Sequence, residues 1–498
     1  MFGNRVLVLI IITASLIFAQ NRGNNLGFQG FDDYNDLSVK AAAMGNAYTS
    51  IAGSLDALFY NPAALRGIKS FQFSAAANFY NRKLYENQVY RPDRYFVTLP
   101  FYLEGLYTPD PAENGMFDHV RMWNNSILDS SYVVNMPATG LDPLSEEAAD
   151  WIEENSNSGL THVAAAFPFS FMEHDFTIAA SYARDVNIYD YDRNETYLDP
   201  HPGYDLYGEN GRVNGQDTLV MNWYDYTRKR TGDMNTISAA LSFELNEYFS
   251  FGVGGKFTSG ESDDMFSLDK IGYFDLINQN RFRFSYDTVY QHVNGTSKFS
   301  STSFNVGVHF QLEKLTVGVK IELPYTITRE YDYTETAFDS NGTSSAKISG
   351  EDKAKMPATV NLGVSFTPVE TFTMAFDYHY APFSKAEFEL ANADTTFHNL
   401  VDQHTFNFGI DYRPYDFLSL QAGYRHVPQT FVPDGAAVRD AGPKAKSYSA
   451  GIGIHTGYGT IQAAYQYRSL TYYDSYFSNT NYNTINYSNL MIGYILTL

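Results

Sequence analysis

The chain has no cysteine among its 498 residues, which removes disulfide scaffolds, thiolate zinc sites and cysteine nucleophiles at once. Positive charge is short as well: 34 Lys and Arg face 56 Asp and Glu, giving a formal net charge of −22 and a pI near 4.8. Such a surface repels phosphates, so nucleic acid is excluded as a partner. Charged residues of either sign make up only 18% of the chain. Long apolar runs are missing apart from Val6–Phe18, and the mean hydropathy is −0.31, so a bundle of membrane-spanning helices is not expected.

What is abundant is aromatic. With 40 Tyr and 38 Phe the aromatic share reaches 16%, unusual for a soluble enzyme with so little charge, and it points to aromatic side chains on a surface. The N-terminus supplies a compartment. Arg5 precedes the apolar stretch Val6–Phe18, which is too short to span a bilayer, and Ala19 before Gln20 is a small-residue cleavage site. We read 1–19 as a secretory signal peptide that is cleaved on export, which leaves the periplasm, the medium or the outer membrane of a Gram-negative-type bacterium.

From Ser70 onward, segments of roughly ten residues alternate apolar with small or polar side chains, the signature of a transmembrane barrel strand. In Ala358–Thr367, Val360, Leu362, Val364 and Phe366 alternate with Asn361, Gly363 and Ser365. After a tight turn, Thr371–Ala381 sets Phe372, Met374, Phe376, Tyr378 and Tyr380 against Thr373, Ala375, Asp377 and His379. The pattern recurs in His404–Arg413 with Leu418–Arg425, Lys446–Thr456 with Thr460–Ser469, Thr161–Phe171 with Phe176–Tyr189, Thr236–Leu245 with Tyr248–Thr258, and Thr302–Gln311 with Leu315–Thr326. These hairpins, flanked by single strands at Ser70–Tyr80 and Ile485–Leu498, predict an all-β fold, a 14-stranded antiparallel transmembrane β-barrel.

A soluble β-sandwich would bury an aliphatic inner face. Here the face opposite the apolar one carries Gly, Ser, Asn, Thr and Gln, which suits a polar lumen, and Tyr378, Tyr380, Tyr412 and Tyr415 sit near strand ends, where interfacial girdles belong. The long connections, 81–160, 190–233, 259–301, 327–357, 382–403, 427–445 and 471–484, fall on one side and read as extracellular loops. Within them Met265–Asn278 reads as a short helix, and Tyr95–Leu103 as an apolar segment that packs over the mouth or extends a strand. The last strand places Leu490, Ile492, Tyr494, Leu496 and Leu498 outward, ending in Leu where assembly signals of this type usually end in Phe.

Ahead of the barrel lies Ser38–Leu65, rich in small residues and unlike anything after it. Its Gly45, Ala47, Ala52, Asn61, Pro62 and Ala63 resemble the hatch segment of the FadL/TodX family of outer-membrane channels for long-chain fatty acids and aromatic hydrocarbons. Pro357–Gly363, Tyr412-Arg413-Pro414 and Leu420–Arg425 agree with that resemblance at the other end of the chain. It implies a barrel at 68–498 plugged by an N-terminal hatch (20–67) inside the lumen. The function implied is passive transport of hydrophobic compounds, fatty acids or similar apolar molecules, across the outer membrane. In the mechanism that the resemblance implies, the ligand is captured by extracellular loops, settles against the hatch and leaves sideways through a kink in the third strand. That strand is Phe176–Tyr189, with Arg184, Asp185 and Val186 where a glycine-containing kink is expected.

The partners expected are hydrophobic small molecules together with outer-membrane lipid and lipopolysaccharide. A fatty acid would also need a fixed cation in the lumen, because its carboxylate leaves water. By alternation Lys256, Lys320 and Arg425 point inward and are the ligand-binding candidates, though each could instead pair with an inward acid such as Glu322 or Asp377. An alternative function is a PorV-like accessory barrel that holds cargo at the cell surface for a protein secretion system, with secretion-system proteins as partners. Catalysis is not expected. Inward His309, His379 and His455 lie on separate strands without metal-ligand spacing, and Asp377 with His379 lacks a Ser partner, so neither metal nor cofactor is assigned.

Overall fold

The structure is a computed structural model that describes residues 27–31, 35–90, 116–117, 141–202, 217–277, 281–339, 342–391, 400–433, 442–475 and 479–498. The expected signal peptide at 1–19 and the Tyr95–Leu103 segment lie outside the described residues.

The wall follows from the period-two pattern. Fourteen staves pair with their sequence neighbours and close antiparallel. They are β1 Gln72–Tyr90, β2 Trp151–Phe171, β3 His174–Pro202, β4 Asp217–Glu244, β5 Phe249–Ile277 and β6 Arg281–Gln311. Next come β7 (Leu315–Glu322 continued by Tyr325–Asp339) and β8 (Gly342–Met356 continued by Thr359–Val369). The ring ends with β9 Phe372–Ala381, β10 Gln403–Tyr415, β11 Leu418–Pro428, β12 Lys444–Thr456, β13 Gly459–Ser475 and β14 Asn479–Thr497. Closure is made by β1 against β14, in register from Gln72↔Thr497 to Tyr90↔Asn479. The breaks in β7 and β8 coincide with Pro324 and Pro357, which have no N–H to give to a ladder. The expected strand count and hairpin pairing therefore stand.

Short turns join the staves on one side, the periplasmic side by barrel polarity. Just beyond them the outward face carries exposed apolar side chains, among them Phe167, Ile178, Ile237, Val253, Phe304, Leu362, Phe408, Ile452 and Ile492. Inward positions on the same strands are small or polar and buried: Ser74, Asn78, Ser238, Ser303, Asn407 and Ser447. This is the lipid belt and polar lumen of a membrane barrel.

Two expectations are corrected. Met265–Asn278 is not a helix, because residues up to Ile277 continue β5. The connections at 190–233, 259–301 and 327–357 are largely strand rather than loop, since β3 to β6 run for 29, 28, 29 and 31 residues. A membrane crossing needs only about ten. The remainder stands outside the apolar belt, where outward side chains turn polar and exposed at Ser259, Glu261 and Asp263. The acidic run at 190–192 belongs to β3, with Asp190 held by Arg228 at 2.6 Å.

Above the belt the ring divides. The β2–β3 ladder stops at His162↔Ala183. Beyond that level β2 stays paired only with β1, as far as Trp151↔Glu86, while β3 stays paired only with β4, as far as Pro202↔Leu219. Both strands shift register where they part: at Thr161, opposite the Ala76/Ala77 step, and at Asp185, between Arg184 and Val186. The upper wall is thus a sheet of β2, β1, β14 and β13 beside a separate sheet of β3 to β8.

Candidate functional site

Residues 38–68 lie against the inward side of the lower ring. Ser38 caps the helix α1 (Val39–Ala43), its Oγ accepting from the Ala41 amide at 3.0 Å. Helix α2 (Ala57–Tyr60) follows, and then the 3-10 turn Pro62–Leu65. Asn61 is fully buried and explains its place before Pro62. Its Oδ1 accepts from the Ala63 amide at 3.1 Å and caps the turn, and its Nδ2 donates to the carbonyls of Thr49 at 3.0 Å and Val308 at 3.2 Å. Pro62 begins the turn, where its missing N–H costs nothing. The Ala63 carbonyl accepts from Ser250 Oγ at 2.8 Å and Ser242 Oγ at 3.2 Å.

The wall meets this segment with polar side chains and missing ones. Asp377 Oδ2 accepts from the backbone amides of Tyr48 at 2.9 Å and Thr49 at 2.8 Å. Gln466 donates to the Ala42 carbonyl at 3.1 Å, Asn407 to the Asn46 carbonyl at 3.2 Å, and Lys40 pairs with Asp411 at 2.8 Å. Gly45 has φ +62, a conformation that favours glycine, and its amide donates to Ser449 Oγ at 3.1 Å. A Cβ at Gly252 would collide with the Ala63 amide, and one at Gly423 with Gly45. Ala47 is fully buried. Burial raises the Asp56 carboxyl above its ordinary range, against the opposing effects of the Ser38 hydroxyl and Lys40.

Higher in the barrel the inward face becomes apolar. Val186, Ile188, Met234, Phe299, Ile327 and Ala354 form a buried cluster, and Phe28 and Phe31 from the start of the described chain pack into it, with Phe31 4.8 Å from Phe299. Arg230 ties this N-terminal stretch down, donating to the carbonyls of Gly27 at 2.8 Å and Gln29 at 3.1 Å. The same guanidinium makes a fully buried bidentate pair with Asp264 at 2.7 and 2.8 Å, and Ser297 and Tyr333 also donate to Asp264.

Asn35 sits where the wall has parted. Its amide donates to the Asp185 carbonyl at 2.8 Å and its Nδ2 to the Arg184 carbonyl at 2.9 Å, while its Oδ1 accepts from Asn187 at 2.9 Å and from Asn78 of β1 at 3.4 Å. Arg184 reaches the other way, to Asn157 of β2 at 3.2 Å and Asn78 at 2.8 Å. Side chains therefore span the interval that the backbone ladder leaves open. Val186 is the first inward residue above the shift.

Of the three expected cations, Lys256 and Lys320 converge on one carboxylate, Glu322, at 3.9 and 3.3 Å, with Ser303 donating to it at 3.2 Å. Arg425 stands apart, 4.0 Å from Asp36, which Asn46 also binds. Asp377, an expected counter-ion, holds the N-terminal segment instead.

Residues 227–489 match the sequence model of a family described as outer membrane protein transport protein (OMPP1/FadL/TodX). The chain belongs to this family. Solved FadL-like structures agree in fold. A FadL homologue from Pseudomonas aeruginosa superposes with a TM-score of 0.58 at 13% identity, covering 94% of this chain and 99% of that one. The toluene transporter TodX of Pseudomonas putida gives 0.52 at 12%, covering 94% and 99%, and the CymD monoaromatic hydrocarbon channel gives 0.51 at 12%, covering 93% and 97%. No curated protein matches the chain by sequence. Membership makes the protein an outer-membrane β-barrel of a hydrophobic-compound channel family. The sequence left Asn35, Phe28 and Phe31 unnoticed, because short polar or lone aromatic residues in a stretch without periodicity carry no pattern.

Proposed function

We propose that this FadL-like protein is a passive channel for long-chain fatty acids or similar amphiphilic hydrocarbons, exported by a cleaved signal peptide at 1–19, closed by a hatch at 20–67 and passing its ligand through the barrel at 68–498. The observation that carries the reading is the apolar cluster around Val186, Met234 and Phe299, an oily site on the inward face of the upper barrel, where Leu84, Leu470 and Ile485 belong to a second one. Phe28 and Phe31 occupy it now, and a ligand of the same polarity would take their place. A hydrocarbon chain entering that cluster gains about 0.8 kcal/mol for each buried methylene. Lys256 and Lys320 share the Glu322 carboxylate, with the Asp185 carboxylate also close enough to attract both, and they and Arg425 are the proposed partners of a ligand carboxylate.

The parting of β2 and β3 is the proposed side passage. Asn35 and Arg184 would have to release their bonds for it to open, while the segment held by Asp377 and Asn61 keeps the axial route shut to ions. This arrangement lets an apolar solute avoid both the lipopolysaccharide leaflet and an open water-filled pore. No observation here favours the secretion-accessory reading over it.

Native mass spectrometry of the purified barrel, with extraction of bound lipid, tests the proposal. A co-purified fatty acid, and a melting temperature that rises with added oleate, are expected. Finding neither a bound apolar ligand nor ligand-dependent stabilisation would defeat it.

A further inference from the structure

Above their last common pair, His162↔Ala183, β2 and β3 do not stand edge to edge. They overlap. Arg228, Arg230 and Met234 of β4 are buried on its inward face, so by alternation Lys229, Thr231 and Asp233 face outward. Glu153 of β2 nevertheless reaches Lys229 at 2.7 Å, and its carboxylate accepts from the Tyr189 hydroxyl at 3.4 Å. The arm of β2 formed by residues 151–160 therefore crosses the outer side of β3 and β4, with Ile152, Glu154, Ser156 and Ser158 exposed on its far face.

Between the two layers lies a cleft of about 390 Å³. Tyr80, Ile188 and Tyr189 line it together with Asn155, Asn157 and Asp233, so an alkyl chain and a polar head both find partners there. It is the outer end of the proposed side passage. The β2 arm is its cover.

The cover is fastened lightly. Trp151 meets the Tyr191 ring edge-on with centroids 5.3 Å apart, and the Lys229 ammonium lies 5.7 Å from the same ring. Gln88 of β1 adds a hydrogen bond to the Arg193 carbonyl at 3.3 Å. The backbone of the arm is laddered to β1 alone. Just above the last common pair the arm also has a place to bend. Thr161 is an extra residue in the β1–β2 ladder, its hydroxyl donating to the Ala76 carbonyl at 2.8 Å, and Asp185 is the extra residue of β3. Glu153 and Lys229 are both partly exposed, and an ion pair open to water is weak and screened by salt. It can let go without breaking a ladder.

We propose that Glu153 and Lys229, with Trp151 and Tyr191, form a salt-sensitive clasp that holds the β2 arm shut over the side passage. The proposal rests on the side-passage reading for what the arm covers, and the clasp itself is measured without a ligand.

Spin labels on the Ser156→Cys, Thr231→Cys variant report across the cleft, since the chain has no native cysteine. Electron paramagnetic resonance of the full protein in phosphatidylcholine nanodiscs should give one short distance at low salt. A longer distance should become several-fold more populated in Lys229→Ala, in Trp151→Ala, and in the parent at high sodium chloride. The exchanged pair Glu153→Lys, Lys229→Glu should restore the short distance and its salt response, which damaged packing would not do. Initial oleate uptake by cells should rise several-fold in Lys229→Ala and return to the parental rate in the exchanged pair. An unchanged distance in both single variants, no recovery in the exchanged pair, or parental uptake that opening the arm does not raise would overturn the proposal. No oleate uptake by the parent or any variant, with the distance still set by the pair, would defeat the channel reading and leave the clasp standing.

Discussion

The lower ring and the upper wall of this barrel are built from the same strands and obey different rules. Below, every stave is paired on both sides, the outward face is oily, and inward glycines and serines receive residues 38–68. Above, the ring is split into two sheets, the outward face is polar, and the interior holds a buried charged network beside an apolar cluster. The reason is solvent. In lipid an unpaired backbone group has no substitute partner, so closure is compulsory. Beyond the lipid, water and side chains such as Asn35 and Arg184 can satisfy the edges that β2 and β3 present to each other, and the wall is free to part.

The sharpest way to break the contrast is to remove the segment proposed as the hatch of the lower ring. Deleting Leu37–Leu65 should leave a folded barrel that conducts ions as an open pore in planar bilayers, since fourteen paired staves do not need the segment for closure. Conductance equal to that of the intact protein would show that residues 38–68 do not seal the lumen.

Next in size is a change confined to the upper wall. Arg230→Ala leaves the Asp264 carboxylate buried without its bidentate partner, a loss of about 3–5 kcal/mol. Hydrogen exchange should quicken in the upper parts of β4 to β6 and leave the amides of β9 to β12 unchanged. Uniform quickening through the ring would mean that the two levels are one cooperative unit.

A smaller effect belongs to the seat of the N-terminal segment. Asp377→Ala strips the acceptor from the amides of Tyr48 and Thr49, at about 1–3 kcal/mol for the buried donors. Brief openings in single-channel recordings are expected, with a steady closed baseline between them. The least effect is expected from Asp56→Asn, because the amide oxygen can still accept from the Ser54 hydroxyl as the carboxylate does at 3.2 Å, and burial already disfavours a charge there. Conductance and melting should match the parent at neutral pH.

The lower ring was the legible part. Val360, Leu362 and Val364 against Asn361 and Gly363 announce a strand with two unlike faces, and every expected hairpin is present because lipid outside and a polar lumen inside enforce that alternation. The upper wall was read as loops for the same physical reason. Once Glu261 and Asp263 face water, polar residues occupy both faces and the alternation fades although the strand continues. Asp377 was visible as an inward acid, but its duty toward the Tyr48 and Thr49 amides depends on a segment more than three hundred residues away. The irregularity at Arg184 to Val186 was expected only from the family resemblance, because the parting is a property of two strands that cease to pair and the alternation along neither strand records it.

The central claim is that ligand leaves sideways where β2 and β3 part. Ser156 of β2 and Thr231 of β4 line the cleft outside that parting, and with no native cysteine the Ser156→Cys, Thr231→Cys variant can be bridged selectively by a reducible bis-maleimide reagent. Oleate uptake into cells carrying the bridged protein is the decisive measurement. The account predicts that uptake falls to background on bridging and returns on reduction, and uptake that persists at complete bridging would contradict it.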